Sequence, residues 1–276
     1  MLEKFIFENH LGQVFNGLEN DVYLNYNDLR DYAWEHETLN NRISRFYQSI
    51  TTRKLPLVVM CQDVKKAIEI KNKLCDMAEV DIHANLPGKI YVGEYYMVGY
   101  ITASTKAEYL IDKRYCRIDL TLTVESPQWM REHTYAFIAD LDGSIGSEHG
   151  TDYPYDYQYD YALSLIGRKI NCNSIGGSEF KLLVYGPAVD PSVIIGNHAY
   201  TVKGSLLAGE TLLIDSVEKT ITLTTATGSR ANWYNRRDRA NYIFEPIPDG
   251  VNTVSWNGDY GFDLTVIEKR SEPRWT

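Results

Sequence analysis

Residues 209–275 leave the chain little choice of structure. Short runs of alternating apolar and polar residues follow one another with turn signals every few positions, a pattern that half-buried β-strands bury on one face. GETLLID (209–215) leads into EKTITLTT (218–225), where Ile221 and Leu223 alternate with Thr220, Thr222 and Thr224, and the pair predicts a hairpin. A short strand over 242–245, a Pro-Ile-Pro-Asp-Gly turn over 246–250, and two runs over 251–256 and 259–268 follow. Asn257-Gly258 separates those two runs. Asn-Gly between alternating runs is a strong hairpin signal, because both turn residues must accept positive φ. An antiparallel hairpin is therefore expected to close the chain.

Upstream, EFKLLVY (179–185) and the runs 187–195 and 198–202 add further strands, punctuated at Gly186, Gly196-Asn197, Gly204, Gly209 and Gly228. About eight short strands counted from Glu179 predict a β-sandwich or jelly roll. No fixed-period repeat points to a solenoid or propeller.

The first half mixes strands with one helix. Residues 5–7 and 14–15 flank a turn at Asn9 to Gly12. YAWEHETL (32–39) reads as a strand whose aromatic face carries Tyr32, Trp34 and His36. A polar loop over 40–52 carries Arg42, Arg45, Phe46 and Tyr47. LPLVVMC (55–61) is a densely apolar strand whose start Pro56 places at an edge. Asp63 is the expected N-cap of a helix with Val64, Ala67, Ile68, Cys75 and Ala78 as its apolar stripe and Lys65, Lys66, Glu69, Lys71 and Lys73 facing out. Strands over 89–92, 95–104 and 114–125 complete this half. The expected division is a first domain over 1–130, a linker region over 131–161 and a second domain over 162–276. Within the linker, Tyr153, Tyr155, Tyr157, Tyr159 and Tyr161 alternate with other residues. In extended conformation their rings project from one side, to pack on their own domain or on a neighbouring subunit.

At 276 residues with 44% apolar content, two domains with real cores are expected. The net charge of -9 argues against nucleic acid as a partner, since phosphate binding draws on clustered Lys and Arg. Twenty-one tyrosines against 8 phenylalanines favour surfaces that meet other surfaces. No signal-peptide core and no run approaching a spanning helix is present, so the chain is expected in cytosol-like solvent without membrane insertion. Cys61, Cys75, Cys116 and Cys172 form no CxxC pair and read as free buried thiols.

A search for chemistry finds little. Residues 175–179 lack the lysine and spacing of a phosphate loop, and Gly146-Ser147 misses the nucleophile-elbow pattern. Asp140, Asp142 and Gly143 resemble half a calcium loop, with the glycine early and Thr151 where a bidentate Glu belongs. The six histidines are scattered without metal-ligand spacing. No catalytic residue, metal or cofactor is expected. One loop stands out: Arg230, Arg236, Arg237 and Arg239 surround Trp233 and Tyr234 in an otherwise acidic protein. Arginine with aromatics is the composition of interface anchors, and such rings also stack on sugars; alternatively Trp233 packs as core while the arginines are solvated.

As an ordered set, GETLLID, the Thr-rich strand, YIFEPIPDGVNTVSW, the Asn-Gly turn, GFDLTV and the terminal segment 268–275 resemble the C-terminal half of the distal tail protein (Dit) family of long-tailed phages or phage-derived particles. The order strand, helix, Pro-Gly turn and strands in the first half resembles that family's N-terminal ring domain. The resemblance implies a mainly β protein, with a β-rich ring domain holding one helix and a C-terminal galectin-like β-sandwich. It implies a non-enzymatic part of the virion tail tip, assembled in the host cytoplasm. A homohexameric ring would join the tail-tube protein to the tail-associated hub protein, and a receptor-binding protein or cell-wall saccharide would be a further partner. A carbohydrate-binding module in host recognition is the alternative, and a hydrolase with an illegible site a third. A closed ring needs two different patches on each subunit. They are sought around Trp34, in the loop from Arg42 to Tyr47, and on the strand 55–61.

Overall fold

The computed structural model describes residues 4–108, 112–139 and 166–275. Tyr153, Tyr155 and Tyr157, with the half calcium loop, lie outside the described residues. The chain is mainly β with one long helix among the described residues, and it divides into two compact units, 1–131 with 270–276 and 132–269. The strand at residues 129–137 occupies the start of the stretch expected as linker.

In the first unit, β1 (Ile6–Glu8) and β2 (Val14–Asn16) form the expected opening hairpin. β3 (Val22–Leu24) lies against β6 (Thr51–Met60), which pairs along its whole length with β9 (Tyr115–Val124). β7 (Gly88–Val92) bridges β1 and β8 (Tyr95–Ala107), and the outer part of β8 pairs with β9. Alternation decides which side is buried: Leu55, Leu57 and Val59 of β6 and Ile118, Leu120 and Leu122 of β9 face one core. The strand 55–61 is thus held between neighbours and is no edge patch, although β3 pairs only from Leu57 onward and leaves the start, as Pro56 implies, paired on one side.

The helix, α1 (Val64–Ala84), begins where expected. Asp63 caps it, its carboxylate accepting from the backbone N–H groups of Lys65 (3.2 Å) and Lys66 (3.3 Å). Its buried stripe is Ala67, Ile70, Leu74, Met77, Ala78 and Asp81, whereas Val64, Ile68 and Cys75 are exposed. Both stripes keep helical spacing, but the buried one is turned about the helix axis from the expected one and shares only Ala67 and Ala78 with it. That rotation leaves Cys75 exposed rather than buried as expected, while Cys61, Cys116 and Cys172 are buried. Asp81 is buried because His10 meets it: Nδ1 lies 2.6 Å from Asp81 Oδ1, and the His10 backbone N–H donates to the same oxygen at 2.9 Å.

In the second unit two sheets share one core. One contains β10 (Trp129–Phe137), β12 (Glu179–Tyr185), β17 (Thr211–Asp215), β18 (Thr220–Thr224), β19 (Arg230–Asn232) and β21 (Phe262–Arg270), in the order β19-β18-β17-β12-β21-β10. The other contains β11 (Ile166–Cys172), β14 (Ser192–Ile195), β15 (His198–Thr201) and β20 (Gly250–Trp256), in the order β11-β20-β14-β15. A short pair, β13 (Ala188–Val189) and β16 (Ser205–Leu206), stands apart. Register aligns the buried faces: Leu182 is opposite Leu264 and Ile214, and Ile214 is opposite Ile221. The Thr-rich hairpin forms as expected. Phe180 against Tyr200 (4.7 Å) and Trp256 against Phe262 (5.1 Å), both edge to face, join the two sheets.

Those ring contacts overturn the closing hairpin. β20 and β21 lie in different sheets, so Asn257-Gly258 begins a crossover. Only Gly258 takes positive φ (84°), which rules out the two-residue turn that needs both. The connection brings the Trp256 indole, donating to the Tyr260 carbonyl at 3.0 Å, over Phe262. The expected strand over 242–245 is likewise a turn, Glu245 N–H donating to Tyr242 O at 3.1 Å. Ile243 and Phe244 are both buried, and consecutive residues of a strand cannot both face one core.

Candidate functional site

The described residues bring together no group of three or more His, Cys, Asp or Glu that could hold a metal, and no described helix is long and apolar enough to cross a membrane. The informative features are surfaces, one in each unit.

In the first unit, the expected polar loop is a strand. β5 (Arg42–Tyr47) pairs with β4 (Glu35–Leu39) across Asn40-Asn41, whose φ values of 52° and 59° make the mirror-image turn that suits a hairpin. Asparagine tolerates this region, which is the signal that sequence reading missed. β4 begins at Glu35, so Tyr32 and Trp34 precede it rather than forming its aromatic face. A register shift after Glu37 leaves Ser44 as the extra residue, its hydroxyl donating to Glu37 O at 3.1 Å.

The resulting ribbon is amphipathic. His36 and Phe46 are opposite, with rings 6.3 Å apart, and Thr38 faces Ile43 on the same side. The other side opposes Glu37 to Arg45 and Leu39 to Arg42. Both faces are open: every residue of β4 and all of β5 but Tyr47 are exposed, including Phe46 at 58% and Ile43 at 52%. The ribbon forms a two-stranded sheet of its own. Its base is tied at Glu35, whose carboxylate accepts from the Ser49 hydroxyl. That bond, with one from Tyr47, holds the Glu35 carboxyl below the usual glutamate range, and the same contact pushes the Tyr47 phenol up. Trp34 is exposed beside the ribbon.

The sequence also gave no hint that Arg30 and Trp275 meet. Residues 270–276 belong to the first unit, where the Arg30 guanidinium lies 4.0 Å over the Trp275 ring and donates to Pro273 O at 3.0 Å.

In the second unit, the arginine-rich loop is built differently. Arg230 opens β19, opposite Thr224, and a single 3₁₀ turn spans Tyr234 to Arg236. Trp233 is half-buried and packs against the core, its backbone N–H donating to Ile221 O at 2.8 Å. Its indole leaves room at position 204 for glycine only: an added Cβ there would lie 3.0 Å from the ring and 2.9 Å from Arg236 Nη1, and φ is +141°. Arg236 covers the Trp233 ring at 4.4 Å and Arg237 covers Tyr234 at 4.0 Å. Tyr234 in turn stacks at 6.1 Å on Phe244, over which Lys219 sits at 5.6 Å. Trp233 packs on its own core, and the arginines are laid on rings rather than loosely solvated.

Two buried phenols brace this unit. Tyr200 donates to Glu245 O at 2.7 Å, and burial pushes its pKa up strongly. Tyr260 donates to Ser192 O at 2.8 Å, and burial pushes it up to about 12.

No family model and no curated protein matches the sequence. Solved structures do match. A chain of the phage P2 baseplate in its activated conformation with Ca superposes with a TM-score of 0.61 at 10% identity, over 99% of this chain and 100% of that one. The SPP1 Dit protein, described as a paradigm of hub adsorption apparatus in phages that infect Gram-positive hosts, superposes with a TM-score of 0.56 at 9% identity, over 96% and 99%. This chain has the Dit fold. The Sr-bound form of the activated P2 baseplate gives the same correspondence as the Ca form, with a TM-score of 0.61.

Proposed function

We propose that this protein is a non-enzymatic structural component of a phage tail tip. Its first unit forms a homohexameric ring that joins the tail-tube protein to the tail-associated hub, at the virion tail tip after assembly in the host cytoplasm. Its second unit is a galectin-like sandwich available to a receptor-binding or other baseplate protein. The carrying observation is the β4–β5 ribbon on a chain that has the Dit fold from end to end. An isolated two-stranded ribbon is marginal in water and gains stability when its faces are covered. At about 25 cal/mol per Å2 of apolar surface, covering Phe46 and Ile43 stabilises an assembly. A ribbon exposed on both faces is one of the two different patches a ring requires.

A saccharide role through Trp233 finds less support. A pyranose would have to displace the Arg236 guanidinium from the indole or that of Arg237 from Tyr234. Native mass spectrometry of the purified chain tests the ring. A ladder of species ending at the hexamer is expected; a chain that remains monomeric at every concentration would refute ring formation by this protein alone.

A further inference from the structure

A group of cations surrounds the Trp233 loop. Lys66 pairs with Asp21 at 2.7 Å, Arg114 with Asp112 at 2.8 Å, Arg131 with Glu94 at 3.1 Å and Lys269 with Glu179 at 2.6 Å. Lys203, Lys219, Arg230, Arg236, Arg237 and Arg239, like most lysines and arginines among the described residues, form no such pair, in a protein that holds 37 acids against 28 bases. Four of them share one region: Lys203 N–H donates to Arg236 O at 2.7 Å, Val202 bridges Arg237, and Lys219 reaches the Phe244 ring that Tyr234 stacks on, while Arg239 lies two residues beyond Arg237 and Arg230, opposite Thr224 on β19, three residues before Trp233. The acids nearby are fewer. The Asp190 carboxylate accepts from Gly204 N–H at 2.7 Å, that of Asp238 accepts from Ala240 N–H at 3.3 Å, and Glu218 and Glu245 are exposed, four acids against six cations.

Aromatic rings hold three of these cations in place. A guanidinium held over a ring has already lost rotamer freedom, so an anion that meets it orders little more. The ring faces that a sugar would need are under the guanidinium groups. A long polyanion would also be repelled by a chain of net charge -9, whereas a compact acidic segment meets only this local excess. We infer that this face of the second unit docks a carboxylate-rich segment of a partner protein. The inference is independent of the ring, since every group in it belongs to the second unit and the ribbon belongs to the first.

The test uses the full chain with a fluorescein-labelled, glutamate-rich peptide, read by fluorescence anisotropy. The glutamine version of the peptide, an inorganic polyphosphate and a neutral glycan serve as comparators. Binding of the glutamate peptide alone, weakening steeply with salt, is expected. Arg230→Gln combined with Arg239→Gln removes two charges that touch no ring, and should weaken binding by about tenfold. Arg236→Gln should weaken it as well, with the Trp233 emission spectrum reporting whether the loop has stayed packed. No binding, equal binding of the glutamine peptide, or tighter binding of polyphosphate or glycan would each overturn the assignment. So would unchanged affinity in the Arg230→Gln/Arg239→Gln chain.

Discussion

Arginines and aromatics cluster twice in this chain, at residues 42–47 and 230–237, and the two clusters meet opposite fates. In the second, Trp233 packs on the core of its own unit, and Arg236 and Arg237 lie on the rings. In the first, Phe46 and Ile43 stand exposed on a ribbon that forms a sheet of its own. The sequence composition is the same; the difference is whether a core lies within reach. A cluster that finds its own core contributes to folding and offers the outside only charge, whereas one that does not offers apolar area to another chain.

Substitutions should therefore separate stability from assembly. The largest expected effect is at Gly204. Gly204→Val puts a branched side chain at φ +141° and into the Trp233 ring, and should destabilise the second unit by about 3 kcal/mol or more in urea unfolding. Trp233→Ala should follow at about 2 kcal/mol, with little effect on oligomer mass. Phe46→Ala should reverse that pattern, changing urea stability by no more than about 0.5 kcal/mol while shifting mass toward the monomer. Equal stability losses at Trp233 and Phe46 would erase the comparison.

Alkaline titration sharpens it further. Tyr200 and Tyr260 have folded pKa values raised above the unfolded phenol value of about 10. Their contribution is whole below that value and is lost as pH rises through the folded pKa, about 12 for Tyr260. Trp256 emission from the second unit should therefore report unfolding in that window. The smallest effect is expected at Glu35, whose carboxyl is held low by Ser49 and Tyr47. Its contribution is present above the usual glutamate range and fades as pH falls through the depressed folded value. Ser49→Ala should raise that midpoint in a carboxyl NMR titration.

What the sequence revealed follows the same division. Period-two alternation in residues 179–185, 211–215 and 220–224 was legible because each strand has one buried face, and Asp63 was legible as a cap because the requirement is local. The Asn257-Gly258 turn misled because local turn chemistry was outweighed by burying Trp256 and Phe262 from two sheets against each other. β5 was hidden for the opposite reason. With both faces exposed, Arg42 to Tyr47 shows no apolar alternation, and only the paired asparagines mark the hairpin. The stacking of Arg236 on Trp233 and the meeting of Arg30 with Trp275 depend on tertiary contacts that no spacing encodes.

The central claim is that the β4–β5 ribbon seals a ring. Light scattering after size exclusion, on the unaltered chain and on Phe46→Ala/Tyr47→Ala side by side, with negative-stain images of each peak, tests it most directly. A mass near that of a hexamer with annular particles for the first, and a shift to monomer without loss of fold for the second, is the expected result. Annular particles that persist unchanged without those two side chains would contradict it.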